Sequence, residues 1–336
     1  MNTPLLLIVW RRSNETKKLI DSLRPIRPQN IYVACDGPKS NDYQSDNQVA
    51  EVKNVISREI DWDCKIQKRY SAYNQGCKNG VSNAITWFFS NVTEGIILED
   101  DCLPKKEFFT YCSILLERYR NDKRIWCISG NNDNQNGIKR GNKSYFFSRY
   151  PEIWGWATWK RCWDEYDSEL SSWGTLRKSN TLRDCFDSYK QYNYWRKIWD
   201  KLYFFNEPDT WDYQWLYTCM INSGLSCIPN TQLVENIGFS PLATHTKRPT
   251  HMIKVVYNQS NNFLPIEDPS YILRSKEADN YTEENYFSGY TIFSYISIKT
   301  KIYYFIRNLK INYLFRKLIS EISRNVVNIC FTKKRK

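Results

Sequence analysis

Three consecutive acids, Glu99, Asp100 and Asp101, sit in "GIILEDDCLP" (95–104), directly after three apolar residues. Like charges side by side repel, and a carboxylate drawn out of water needs a cation or hydrogen-bond donors to stay ionised. A divalent metal answers that need; a solvated acidic loop is the plain alternative. A fourth acid, Asp36, follows another apolar run in "IYVACDGP" (31–38). Turn acids before Gly-Pro are common, so Asp36 alone decides nothing.

The elements that position these acids favour the metal. "PLLLIVW" (4–10) reads as a first strand, and "RRSNETKKLIDSLRP" follows as a helix that Ser13 or Asn14 can cap and Pro25 closes. The second strand is 31–38, a polar helix covers about 45–59, and "WDCKIQKRY" (62–70) supplies a third strand. In "GVSNAITWFF" (80–89), Val81, Ala84, Ile85 and Phe88 share one helical face. "GIIL" (95–98) is the fourth strand, 105–120 a helix, and "IWCIS" (125–129) the fifth strand. Strand and helix alternating at this spacing imply an α/β fold with a mostly parallel, doubly wound sheet. Ligands of such sheets lie outside the carboxyl ends of the strands, where Asp36 and the triple acid both fall.

The second half reads differently. "YPEIWGWATWKRCWDEYD" (150–167) and "YNYWRKIWDKLYFFNEPDTWDYQWLY" (192–217) are rich in Trp and Tyr and poor in continuous apolar runs. They imply a mostly helical half, packed on the sheet and lining an acceptor groove, with most of the tryptophans in the core. The expected organisation is a sheet-bearing half over 1–135, an aromatic-rich half over 136–260, and a C-terminal extension over 261–336.

Composition limits the classes. A chain of 336 residues, 41% hydrophobic and 16% aromatic, is long and apolar enough for a sizeable core. Eleven cysteines without CxxC spacing argue against a zinc ribbon or a disulfide framework and for reduced thiols in the cytoplasm. The apolar run at the N-terminus is too short for a signal sequence, and its basic pair lies on the wrong side. From Lys299 to Lys336 there are eleven Lys or Arg and one acid, a net of +10 out of the whole chain's +12. The rest is close to neutral, so the charge belongs to a tail and does not mark a nucleic-acid binder. Within that tail Ile302, Phe305, Ile306 and Leu309 recur at helical spacing among basic residues, as do Leu314, Leu318, Ile322 and Val326. A basic amphipathic helix of this kind docks on anionic membrane surface, which predicts a peripheral protein on the cytoplasmic face of the inner membrane.

The ordered motifs resemble the GT-A nucleotide-diphospho-sugar glycosyltransferases. "EDDCLPKKEFFTYCSILLERYRNDKRIWCISGNNDN" is similar to the E-D-D and N-D-N regions of the N-acetylglucosaminyltransferase I family. Trp211, Asp212 and Trp215 are similar to its W-D-D-W. "FFSRYPEIWGWATWKRCW" and "VENIGFSPLATHT" also resemble bacterial glycosyltransferases, some of them called haemolysin-like. The resemblance covers residues 3 to about 250. It implies that the half over 1–135 would bind the nucleotide sugar, and that over 136–260 would bind the acceptor and carry catalysis.

The resemblance implies roles residue by residue. Asp101 would ligate Mn²⁺ or Mg²⁺, Asp100 would hold ribose or metal-bound water, and Glu99 would hydrogen-bond the donor sugar. Asp36 stands where this fold reads uracil N3–H. Arg12 and Arg69 would pair with the nucleotide through forked hydrogen bonds. Asn74, Gly76 and Lys78 of "YNQGCKNG" would touch ribose or diphosphate, and Asn132, Asp133 and Asn134 would border the donor sugar. Asp212 is the expected general base of an inverting transfer, its alternative being a helix N-terminal acid. His245 is a candidate second metal ligand. The implied activity is metal-dependent sugar transfer from a nucleotide-diphosphate sugar, UDP-GlcNAc for example, to a cell-envelope glycan, which a lipid carrier could bear. The alternatives are a sugar-phosphate nucleotidyltransferase, against which the glycine-free "IVWRRSNETKK" speaks, and a non-enzymatic membrane-binding protein.

Overall fold

Apolar runs and amphipathic helices alternate through the first half: β1 (Leu5–Val9), α1 (Ser13–Leu23), β2 (Asn30–Cys35), α2 (Tyr43–Glu59), β3 (Lys65–Tyr70), α3 (Gly76–Phe89), β4 (Glu94–Glu99), β5 (Cys102–Pro104), α4 (Lys106–Tyr119) and β6 (Ile125–Ser129). The computed structural model describes residues 1–132, 138–238 and 263–287. All of these belong to one compact unit, Met1–Phe287. β1, β2, β4 and β6 are almost wholly buried, as strands covered on both faces must be. β3, at the sheet edge, is half polar and largely exposed.

The expected side-chain cap on α1 does not form. Arg12 is the N-cap residue, and its carbonyl accepts from the Thr16 amide and hydroxyl at 2.9 and 2.7 Å. The Arg12 side chain is thereby left at the strand ends. α2 does carry a side-chain cap, Asp42 accepting N–H from Ser45 at 3.0 Å.

The second half contributes more sheet than its sequence suggests. It continues with β7 (Tyr145–Ser148), β8 (Trp156–Trp159), α5 (Lys160–Trp163), α6 (Trp173–Ser179), α7 (Tyr189–Phe205), α8 (Asp212–Ile221), β9 (Leu225–Pro229), β10 (Val234–Asn236) and α9 (Lys276–Tyr286). One eight-stranded sheet runs in the order β3-β2-β1-β4-β8-β6-β9-β7, and β5 pairs with β10 separately. Three of its strands therefore come from the half read as helical. They are four or five residues long and carry Trp, Phe, Ser and Cys, too short for a periodic signal. β8 pairs antiparallel with both β4 and β6, and β7 runs antiparallel to β9. The other strands share one direction, making the sheet mainly parallel and Rossmann-like.

Helices α6, α7 and α8 enclose a second core of Trp173, Trp195, Trp199, Tyr192 and Tyr217. Residues 263–287 lock onto the unit. Phe263 meets Tyr111 edge-on, Asp268 accepts from the Tyr145 hydroxyl, and Ser275 N–H donates to Phe147. On α9, Asp279 accepts from the Ser148 hydroxyl at 2.6 Å, and Glu283 accepts from Trp195 Nε1 at 2.7 Å and from the Tyr150 hydroxyl. The basic tail, 288–336, lies outside the described residues. No helix among those described is long and apolar enough to cross a membrane. Ten cysteines among them are free thiols.

Candidate active site

Register brings the chemistry together. Val9 pairs with Cys35, Cys35 with Tyr70, and Ile8 with Glu99, so the carboxyl ends of β1 to β4 lie level. The residues just beyond those ends open on a cavity of about 780 Å³. It is lined by Arg12, Asp36, Arg69, Asn74, Glu99, Asp100 and Asp101 from the sheet side. Trp154, Asp209, Trp211 and Asp212 line it as well.

Two of the three acids are held by one arginine and the end of β1. Arg12 Nη1 donates to Asp100 Oδ1 at 3.0 Å and Asp101 Oδ2 at 2.6 Å. Trp10 N–H donates to Asp100 Oδ2 at 3.2 Å. Burial pushes the Asp100 carboxyl up to about 7, the Asp101 charge adding to the rise and Arg12 opposing it. Glu99 is pushed up to about 8, by burial first and then by the charges of Asp101, Asp100 and Asp212. Crowded carboxylates with raised affinity for protons also attract a metal.

Asp101 suits such an ion. Its side chain faces the cavity, and Cys102 Sγ is 3.8 Å from Oδ1. Gly238 approaches so closely that a Cβ there would lie 2.2 Å from Asp101 Oδ2. Hard cations of the Mg²⁺ class take one or two carboxylates and fill their shell with water and phosphate oxygens, which matches this donor set. Among the described residues no group of three or more His, Cys, Asp or Glu gathers around one point. His245 and Asp133 lie outside them, as does Asn134.

Asp36 is more fully engaged than a free base-reading acid would be. It accepts N–H from Gly37 at 2.8 Å and from Gln75 at 3.0 Å, and Asn74 Nδ2 donates to it at 2.8 Å. A carboxylate offers about four lone-pair positions, so a nucleobase donor would have to share one of these oxygens. Burial raises its pKa, and the backbone donors hold it down. Asn74 thus serves Asp36 while lining the cavity. The Arg69 guanidinium donates to the Asn83 carbonyl at the cavity wall.

Two expected donor residues stand apart from the cavity wall. The Lys78 ammonium donates to Glu169 at 2.7 Å and Asn206 at 2.9 Å, in place of a diphosphate. Asn132 is buried, takes Gln232 Oε1 on its N–H at 2.6 Å, and has Oδ1 without a hydrogen-bond partner.

Asp212 opens α8, as a helix N-terminal acid does, and also faces the cavity. Its Oδ1 accepts N–H from Tyr213 at 2.9 Å and the Thr210 hydroxyl. The flanking tryptophans are core, Trp211 being 2% and Trp215 0% exposed. Trp156 stacks on Trp211 with ring centres 5.7 Å apart, and Trp163 lies 5.5 Å from Trp215. Asp212 therefore stands at the edge of an indole cluster.

Sequence reasoning missed Asp209, Gly238 and the Trp10–Arg11 pair. Asp209 accepts N–H from Cys77 and Lys78, both at 2.9 Å. The Arg11 guanidinium lies 3.9 Å above the Trp10 ring, and Trp10 Nε1 donates to the Gly37 carbonyl at 2.9 Å. Only "WRR" next to a strand end hinted at the latter.

No protein-family model matches the sequence, and no curated protein does. Solved structures show partial likeness. A cytidylyltransferase from Leptospira borgpetersenii is 11% identical over 54% of this chain and 72% of its own, with a TM-score of 0.32. The mannosyltransferase PcManGT from Pyrobaculum calidifontis, in complex with GDP-Man and Mn²⁺, is 11% identical over 49% of this chain and 46% of its own, TM-score 0.33. A 4-diphosphocytidyl-2C-methyl-D-erythritol synthase from Anaerococcus prevotii is 8% identical over 53% and 84%, TM-score 0.29. Likenesses this weak bear on neither activity nor substrate.

Proposed function

We propose that this protein is a glycosyltransferase that takes a nucleotide-diphosphate sugar, UDP-linked, and passes the sugar to a hydroxyl of a glycan acceptor. The observation that carries this reading is that Asp212 and the Arg12–Asp100–Asp101 group line one cavity. Leaving-group stabilisation and proton removal from an acceptor must face each other in an inverting displacement. Asp212 can accept the acceptor proton at its carboxylate while the buried indoles behind it exclude water. Arg12 supplies positive charge beside the diphosphate position, and Asp101 would hold Mn²⁺ or Mg²⁺. When bound, that ion neutralises the leaving diphosphate as a Lewis acid. Glu99, with its raised proton affinity, can donate a hydrogen bond to a donor hydroxyl. The basic tail would place the enzyme on anionic lipid near a lipid-borne acceptor.

The test is a thermal-shift screen of UDP-, GDP- and CDP-sugars with and without Mn²⁺, followed by product analysis. Release of UDP from a stabilising UDP-sugar supports the reading. Pyrophosphate release from UTP and a sugar phosphate would make the protein a nucleotidyltransferase instead.

A further inference from the structure

The first turn of α3 is gripped by two acids from distant parts of the chain. Asp36, at the end of β2, takes the Gln75 N–H at 3.0 Å and the Asn74 amide at 2.8 Å. Asp209, from the loop between α7 and α8, takes the Cys77 and Lys78 N–H groups at 2.9 Å each, across more than 130 residues of sequence. The first N–H groups of a helix have no partner within it, and its N-terminus carries partial positive charge, so a carboxylate satisfies both needs. Gly76 makes room for the grip. Its φ is 79°, and a Cβ there would lie 2.7 Å from Asp209 Oδ2.

The loop is anchored at its α8 end by buried Thr210 and Trp211, whose carbonyls accept from Gln214 Nε2 at 2.7 Å and the Tyr166 hydroxyl at 3.1 Å; its other end relies on the grip. Residues 206–209 are exposed, and Lys78 Nζ to Asn206 Oδ1, at 2.9 Å, is a further tie to the same turn. One residue on, the Thr210 hydroxyl donates to Asp212. Asp36 and Asp209 therefore hold the same turn, and Thr210, next along the chain from Asp209, bonds to Asp212.

We propose that Asp209 is a positioning residue: it fastens the loop that delivers Asp212 to the turn that Asp36 holds, and so fixes Asp212 relative to the donor. The inference rests on Asp212 being the base of the proposed transfer. Asp209 acts through backbone amides and not on the substrate. Without it the loop and α3 separate, and a misplacement of about 1 Å at a reacting group costs about a hundredfold in rate.

The experiment uses the full chain with Mn²⁺ and UDP-GlcNAc, following UDP release, the donor KM, and hydrogen exchange of peptides covering 74–80 and 206–213. Asp209→Ala should lower kcat by about ten- to a hundredfold and speed exchange in both peptides. The donor KM should stay within about threefold, because the donor's own contacts remain. Asp209→Asn keeps one acceptor oxygen and should lose less, and it carries the test if the alanine variant does not fold. Unchanged kcat in the variants, or a loss seen in donor KM instead of kcat, overturns the proposal. Asp212→Asn, run alongside, separates the two ideas. If it stays active the base reading falls, whereas an inactive Asp212→Asn beside fully active Asp209 variants removes the clamp alone. A wild-type protein that releases no UDP removes the underlying reading and the inference with it.

Discussion

A single nitrogen of Arg12 bridges Asp100 at 3.0 Å and Asp101 at 2.6 Å, with the three side chains only 12%, 10% and 19% exposed. Taking one partner from a buried ionic group leaves the others uncompensated, at a cost of about 3–5 kcal/mol. Arg12→Ala should therefore lower the urea midpoint strongly. Arg12→Lys keeps the charge but loses the planar guanidinium, and should recover only part of the loss.

The same crowding sets a pH dependence. Glu99 and Asp100 are pushed up to about 8 and about 7 in the folded protein, against about 4 for free carboxyls. The native state then binds more protons than the unfolded chain between these values. The associated stability is complete below about pH 4 and is lost as pH rises through 7 and 8. In the presence of chelator, Glu99→Gln should be more stable than wild type at pH 8, with the gap narrowing at pH 5. Equilibrium denaturation at the two pH values measures it.

Gly238 is placed where any side chain would meet the Asp101 carboxylate, at 2.2 Å for a Cβ. Gly238→Ala should turn Asp101 aside and weaken Mn²⁺ binding by calorimetry, as Asp101→Ala should abolish it. Full metal affinity in both variants would show that the ion is held elsewhere.

Asp212→Asn should leave donor binding intact and lower turnover by about two to four orders of magnitude, the ordinary worth of general-base catalysis. Donor affinity by thermal shift and UDP release together decide it. Collapse of donor binding would make Asp212 a structural helix cap.

Truncation tests the role of α9. Glu283 is fully buried, bonded to Tyr150 and Trp195, and Asp279 is fully buried against Ser148 and Arg274. A chain ending at 287 should unfold cooperatively. One ending at 262 leaves Ser148 and Trp195 without these partners and should lose its sharp thermal transition.

The sheet was legible where strands are continuous apolar runs, as in β1, β2, β4 and β6, and the alternation with helices gave the parallel half. β7, β8 and β9 were not legible, because four residues such as "WATW" carry no period. Asp36, Arg12, Asp100, Asp101 and Asp212 could be suspected from strand ends and a W-D-x-x-W pattern, and one cavity does gather them. The partners of Lys78, Glu169 and Asn206, could not be read from the sequence, since they are settled by tertiary packing alone. The same holds for Asp209, whose partners are backbone amides far along the chain.

The strand order has a consequence for biosynthesis. Translation completes β4 long before its neighbour β8, and β6 waits for β9 until Leu225–Pro229 has been made. The outer β7 strand gains its Arg274 bridge later still, and the Trp195 indole of the second core awaits Glu283. A nascent chain therefore presents open strand edges and unsatisfied aromatic surface until its last third has left the ribosome. Such intermediates stick to one another. Chaperone supply and slow translation should accordingly decide the soluble yield more than the stability of the finished molecule does.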